Sequence, residues 1–166
     1  MPANSETAPA NEERLRAAIG PRADYYFRHW RAMDEKGRSW DWNWAACFLN
    51  VFWFAYRKMW GPMVAMGLVY IVTSPFLDPT NKPVFKIVAF TLVGFSFVTG
   101  TFGNGLYRKQ VERIVAETAG QDAEGAKARA AARGGVSLPA AIGALVGLVV
   151  LGALAGMVPA LLARGG

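Results

Sequence analysis

The stretch GTFGNG, from Gly100 to Gly105, is where this chain comes closest to a phosphate-binding loop. Such a loop needs a strand before it and a helix N-terminus after it, so that backbone N–H groups converge on the anion. Here the glycines close a long apolar segment, and their small size points instead to close helix approach or a loosened helix end. The other chemistry-bearing residues are equally isolated. Cys47 is the single cysteine and His29 the single histidine, which excludes an internal disulfide and the usual zinc, haem or iron–sulfur ligand sets. No nucleophile has a base near it in sequence, no carboxylate pair sits on an apolar element, and no cofactor motif is present. The expectation is a non-enzymatic protein without a cofactor or metal.

Polar side chains inside apolar stretches are the next candidates. Asn43, Asn50 and Asn104 each carry an amide that must find hydrogen-bond partners, since an unpaired one in an apolar setting costs roughly 1 to 3 kcal/mol. Asn104 either caps its helix or bonds across to Asn50. No ionisable residue lies deep in an apolar segment, which argues against a proton relay or ion path.

The elements that hold these residues follow from the charge distribution. Charged residues crowd into Glu6–Asp41 and Arg108–Arg133, whereas Trp60–Leu77, Val84–Tyr107 and Leu138–Ala163 carry almost none. A helix of a soluble protein needs a polar face, and these segments offer none. The fold class expected is therefore all-α, an integral membrane helical protein with cytoplasmic amphipathic helices, an interfacial aromatic helix, a two-span hairpin and a C-terminal span. Its divisions are a disordered or short-helix tail over 1–20, a membrane domain over 21–116, a linker over 117–137 and a C-terminal transmembrane helix over 138–163. Within the membrane domain the spans are 60–77 and 84–106, followed by a helical extension into water.

Residues 21–37 place Tyr26, Phe27, Trp30 and Met33 on one helical stripe opposite Arg28, Arg31, Asp34 and Glu35. Pro21 suits the first turn, and Gly37 the end. The stripe packs against the protein or lies on headgroups. The stretch 44–58 is too short to cross, because thirteen helical residues from Trp44 to Tyr56 reach about 20 Å against a hydrocarbon core of about 30 Å. It is also apolar all round. Trp40, Trp42, Trp44, Trp53, Tyr56, Arg57, Lys58 and Trp60 are expected as membrane-interface anchors of an in-plane or re-entrant helix.

In the last span Gly143 and Gly147, and again Gly152 and Gly156, have the four-residue spacing that lets helices approach closely, so a homo-oligomer or an unidentified membrane partner is expected. Of eighteen Lys and Arg residues, fifteen fall on the side that holds the N-terminus if there are three spans. The positive-inside rule then makes the N-terminus cytoplasmic in a bacterial inner membrane. The formal charge of +6 is explained by these membrane flanks, since the first 43 residues balance seven cations against seven anions. Nucleic acid is not expected as a partner, and no small-molecule substrate is identifiable.

Trp42, Asn43, Trp44, Ala45 and Ala46, then Trp53, Tyr56, Arg57, Lys58 and Met59, then Asn104, Tyr107 and Arg108 form a pattern that resembles a bacterial membrane family catalogued as domain of unknown function 2628. The resemblance covers about Pro21 to Val115 and leaves the third span outside. It implies an uncharacterised inner-membrane protein and carries over no activity or site. Two functions follow as expectations: an accessory or scaffold protein presenting cytoplasmic helices at the bilayer, or a component of a small-solute or ion transporter formed by oligomerisation through the glycine-rich span, with Asn50, Thr73, Thr99 and Asn104 along a polar path.

Overall fold

A computed structural model describes residues 7–118, 120 and 122–164. The disorder expected over Met1–Asn11 lies outside them for residues 1–6, and from Thr7 the chain is helical instead. Among the described residues there is no strand, and the chain is all-helical. The helices are α1 (Thr7–Ile19), α2 (Ala23–Glu35), α3 (Trp44–Leu49), α4 (Val51–Tyr56), α5 (Trp60–Thr73), α6 (Lys82–Ala116), α7 (Ala123–Arg133) and α8 (Leu138–Arg164), with a 3-10 turn over Ser74–Phe76 after α5. They form two compact units. The first joins the residues up to Asn43 to Thr101–Ser137, and the second joins Trp44–Gly100 to the segment from Leu138. Because α6 runs unbroken from Lys82 to Ala116, each unit holds one part of it.

In the first unit the α2 stripe turns inward. Tyr26, Trp30 and Met33 are buried, and the Tyr26 ring lies 4.6 Å from that of Tyr107 on α6. Val111, Ile114 and Val115 continue the buried face of α6. The stripe thus packs against the protein, and Phe27 at its margin takes the Arg16 guanidinium over its ring at 5.0 Å. Gly37, at φ 58, closes α2 with the paired 6→1 and 5→2 bonds of a Schellman motif, Arg38 N–H to Met33 O and Gly37 N–H to Asp34 O.

The segment expected as a linker, in part helical, over 117–137 contains the packed helix α7. Asp122 caps α7 by accepting from the Gly125 N–H at 3.1 Å, and Ala126 and Ala130, one turn apart, are buried against α1. Small Ala side chains let two backbones come close without any large apolar residue, which is why hydropathy did not mark the helix. The tail over 1–20 is likewise ordered from Thr7, with Ala18 and Ile19 fully buried.

In the second unit the segment expected as one interfacial helix over 44–58 is two short helices broken at Asn50, whose backbone sits at φ 43, ψ −110. Non-glycine residues rarely adopt positive φ, and this ψ lies outside the left-handed helical region where Asn is enriched. Lys58, at φ 55, ends α4 with a second Schellman motif, in which Met59 N–H bonds Phe54 O at 2.8 Å and Lys58 N–H bonds Ala55 O at 3.0 Å. α4 packs on α5 and α8, and α5 packs on α8.

The span expected over 60–77 is fourteen residues of α-helix, about 21 Å by its rise, extended by the 3-10 turn. The Asp78 carboxylate closes the following loop by accepting from the Thr80 N–H at 2.8 Å and hydroxyl at 2.7 Å. Among the described residues two helices are long and apolar enough to cross a membrane. Most apolar side chains along both are exposed, among them Ile87, Phe90 and Val93 on α6 and Ile142, Val146 and Val149 on α8.

Candidate functional site

Two polar clusters interrupt the apolar surfaces, one in each unit. In the first, the α6 turn around Asn104 anchors the segment that follows α2. Asn104 is fully buried, and its Oδ1 accepts from the Asn43 Nδ2 at 2.8 Å. Its own Nδ2 donates to the Trp42 carbonyl at 3.3 Å, and its backbone carbonyl accepts from the Trp30 indole Nε1 at 3.2 Å. Asn104 therefore ties α2, the 38–43 segment and α6 together, through Asn43 and not through Asn50.

Gly105 explains part of the glycine pattern that looked like a phosphate loop. A Cβ at this position would stand 2.2 Å from the Ser39 carbonyl oxygen, so only glycine lets the 38–43 segment lie on α6. The same segment carries an ionic group. The His29 Nδ1 contacts the Asp41 carboxylate, whose other oxygen accepts from Arg38 at 2.9 Å, and the Arg38 guanidinium lies 4.3 Å from the Trp40 ring centre. Burial pushes the Asp41 carboxyl up, but the hydrogen bond and charge of His29, the Trp42 N–H and the Arg38 charge outweigh it and leave the group below the ordinary carboxylate range.

In the second unit Asn50 is buried, and its Nδ2 donates to Thr99 Oγ1 at 3.2 Å and Ser96 Oγ at 3.3 Å on α6. Its Oδ1 is buried and meets no donor. Thr99 Oγ1 also lies 3.3 Å from the Ala46 carbonyl, so one hydroxyl binds both sides of the helix break. Thr73 spends its hydroxyl on the Val69 carbonyl of its own helix at 2.7 Å. These amides and hydroxyls have no acid or base strength near neutral pH, and what they do chemically is hold backbone in place.

The expected interface anchors divide. Trp40, Trp44 and Trp60 are exposed, Trp42, Tyr56 and Lys58 are partly exposed, and Trp53 and Arg57 are buried, so the last two pack within the chain. Arg57 lies 5.6 Å from the centre of the Tyr56 ring. Gly143, Gly147, Gly152 and Gly156 face open space, where an added Cβ would meet no atom within 4 Å. Among the described residues no group of His, Cys, Asp and Glu has the arrangement of a metal site.

A family model described as "Protein of unknown function (DUF2628)" matches residues 10–113, more than half of the chain. The chain belongs to this family. The DUF2628 match starts within α1 and ends within α6, so it includes Asn43, Asn50 and Asn104 and leaves out α7 and α8. No curated protein gave a significant match, and no solved structure did.

Sequence reasoning found the three asparagines but missed Trp30 and Ser96 as their partners. The signal for Ser96 and Thr99 was available, because two hydroxyls three residues apart share a helix face. Nothing local marks Asp41 or His29, which meet across twelve residues.

Proposed function

We propose that this DUF2628 protein is a small bacterial inner-membrane protein without enzymatic activity, an accessory or scaffold that presents its cytoplasmic helices at the bilayer. The observation that carries the reading is the exposure of its most apolar helices. A core helix of a soluble protein hides its apolar side chains, whereas Ile87 and Phe90 on α6 are 67 % and 75 % exposed and Val149 on α8 is 62 % exposed. Apolar surface of this extent in water is an interaction or membrane surface. With lipid around α5, α6 and α8, the same exposure costs nothing.

The orientation proposed places the N-terminus in the cytoplasm, with Lys82 and Lys86 on the far side. The first unit presents charged side chains at its surface. Its charged side chains are engaged in surface ion pairs such as Arg108–Asp34 at 2.6 Å and Arg16–Asp24 at 2.6 Å, an arrangement suited to a solvated face. Of the four residues expected along a transport path, Asn50 and Thr99 bond each other, whereas Thr73 bonds its own helix and Asn104 bonds the 42–43 segment.

The test is reconstitution of the full chain in liposomes, with reporter fusions at each terminus in cells. The proposal expects liposomes that hold small solutes and ions as well as empty ones, and a cytoplasmic signal from the N-terminal fusion alone. Measurable flux would favour transport, and a cytoplasmic C-terminal signal would overturn the orientation.

A further inference from the structure

We propose that residues 44–56 are a two-state element jointed at Asn50, held as two helices by the hydroxyls of Ser96 and Thr99 and free to become one continuous helix when that latch is released. Regular bonding is intact on both sides of the joint, where the Asn50 N–H donates to the Ala46 carbonyl at 3.1 Å and the Phe54 N–H donates to the Asn50 carbonyl at 3.1 Å. Between these two bonds a continuous helix would add three, from the N–H groups of Val51, Phe52 and Trp53 to the carbonyls of Cys47, Phe48 and Leu49. The stretch WAACFLNVFWFAY holds neither proline nor glycine, so nothing in its sequence forbids them.

Three features oppose the break. The Asn50 backbone, at φ 43 and ψ −110, lies in the mirror-β region, which glycine enters freely and a residue with a Cβ enters at a cost. The helix bonds across the joint are forgone. The Asn50 Oδ1 is buried and meets no donor among the described residues, which leaves its desolvation uncompensated. Backbone strain of this kind persists only where the surroundings impose it. Here the Asn50 Nδ2 donates to Thr99 Oγ1 at 3.2 Å and to Ser96 Oγ at 3.3 Å, and Thr99 Oγ1 lies 3.3 Å from the Ala46 carbonyl. The two hydroxyls, one turn of α6, thus fasten both the joint and the last turn of α3.

The two arms are held unequally. α4 buries Val51, Trp53, Phe54 and Ala55 and packs on α5 and α8, which makes it the fixed arm. α3 buries Ala46 and Cys47, two small side chains, and exposes Trp44 and Phe48, whose rings stack 5.6 Å apart. Straightening the joint therefore swings α3 and re-aims that aromatic pair while α4 stays in place.

The test is NMR of the full chain in detergent micelles, reading the backbone carbon chemical shifts from Trp44 to Tyr56. The wild type is expected to show helical shifts on either side of an Asn50 that lies outside the helical range. The double variant Ser96→Ala, Thr99→Val removes the latch with near-isosteric side chains and should move residue 50 into the helical range, giving one unbroken helical run. Asn50→Leu should do the same without touching α6, and it decides the matter if the double variant fails to fold. Thr91→Val is the control for losing a hydroxyl from α6, since Thr91 bonds the Ile87 carbonyl of its own helix, and it should leave the break in place. A break that survives both the double variant and Asn50→Leu would mean that packing imposes it, and a wild type helical through residue 50 would remove the joint. Either result overturns the proposal.

Discussion

The Asn43 amide nitrogen donates to the Asn104 side-chain oxygen at 2.8 Å, joining residues 61 positions apart that are 2 % and 0 % exposed. With Asn104 also holding the Trp42 carbonyl, one side chain fixes the path of the chain out of α2. Removing one partner of a buried hydrogen bond exposes the other to the full desolvation cost, about 1–3 kcal/mol. Asn104→Ala is therefore expected to destabilise the detergent-solubilised protein by about 2–3 kcal/mol and Asn43→Ala by less. The double variant should cost clearly less than the sum, and strict additivity in denaturant unfolding would show that the two amides are not coupled.

Two glycines are held by backbone contact. A Cβ on Gly105 would stand 2.2 Å from the Ser39 oxygen, and one on Gly134 2.1 Å from the Ala18 oxygen, next to the bond from Gly135 N–H to that same carbonyl. Neither neighbour is a flexible side chain that can swing aside. Gly105→Ala and Gly134→Ala should each cost more than 1 kcal/mol in thermal unfolding. Gly94→Ala, where the added methyl meets nothing within 4 Å, is the comparison, and it should be neutral or slightly stabilising.

Asp41 gives the first unit an acid limit. Its folded pKa lies below the unfolded value of about 3.9, so its contribution is complete above that value and is lost as pH falls through the folded pKa. Asp24 acts in the same sense, chiefly through its hydrogen bond from Arg16. Stability measured by denaturant is expected to hold above about pH 5 and to fall on further acidification. Asp41→Asn should lower the plateau and flatten that fall. An unchanged slope would remove Asp41 from the account.

Lys58 occupies the left-handed position of a Schellman motif, at φ 55, where glycine carries no steric penalty. A left-handed L-residue costs about 1–2 kcal/mol. Lys58→Gly is expected to raise the unfolding temperature of the solubilised protein, by an amount worth up to about 1 kcal/mol. A lower unfolding temperature would mean that the lysine side chain contributes more than its backbone costs.

What could be read in the sequence was set by length and hydropathy. α6 and α8 announce themselves as helices by the length of their apolar runs, and α2 because its aromatic stripe has helical period. The helix break at Asn50 was not legible, since a positive φ leaves no mark on the residues around it. Trp53 and Arg57 show the same limit: α4 has no polar face, so nothing local separates a ring that packs on a neighbouring helix from one that faces outward. α7 was hidden for the opposite reason. Its packing surface is two alanines, Ala126 and Ala130, whose contribution is closeness and not hydropathy. Asn104 was recognised as needing a partner, but its pairing with Asn43 is a matter of tertiary geometry.

The central claim is that lipid covers the exposed apolar faces of α5, α6 and α8. The most direct test is to express the full chain in bacteria, wash the membranes with alkaline carbonate and follow the protein. The account predicts that it stays in the membrane pellet and enters solution only with detergent. A chain recovered in the wash, monomeric and folded without detergent, would contradict it.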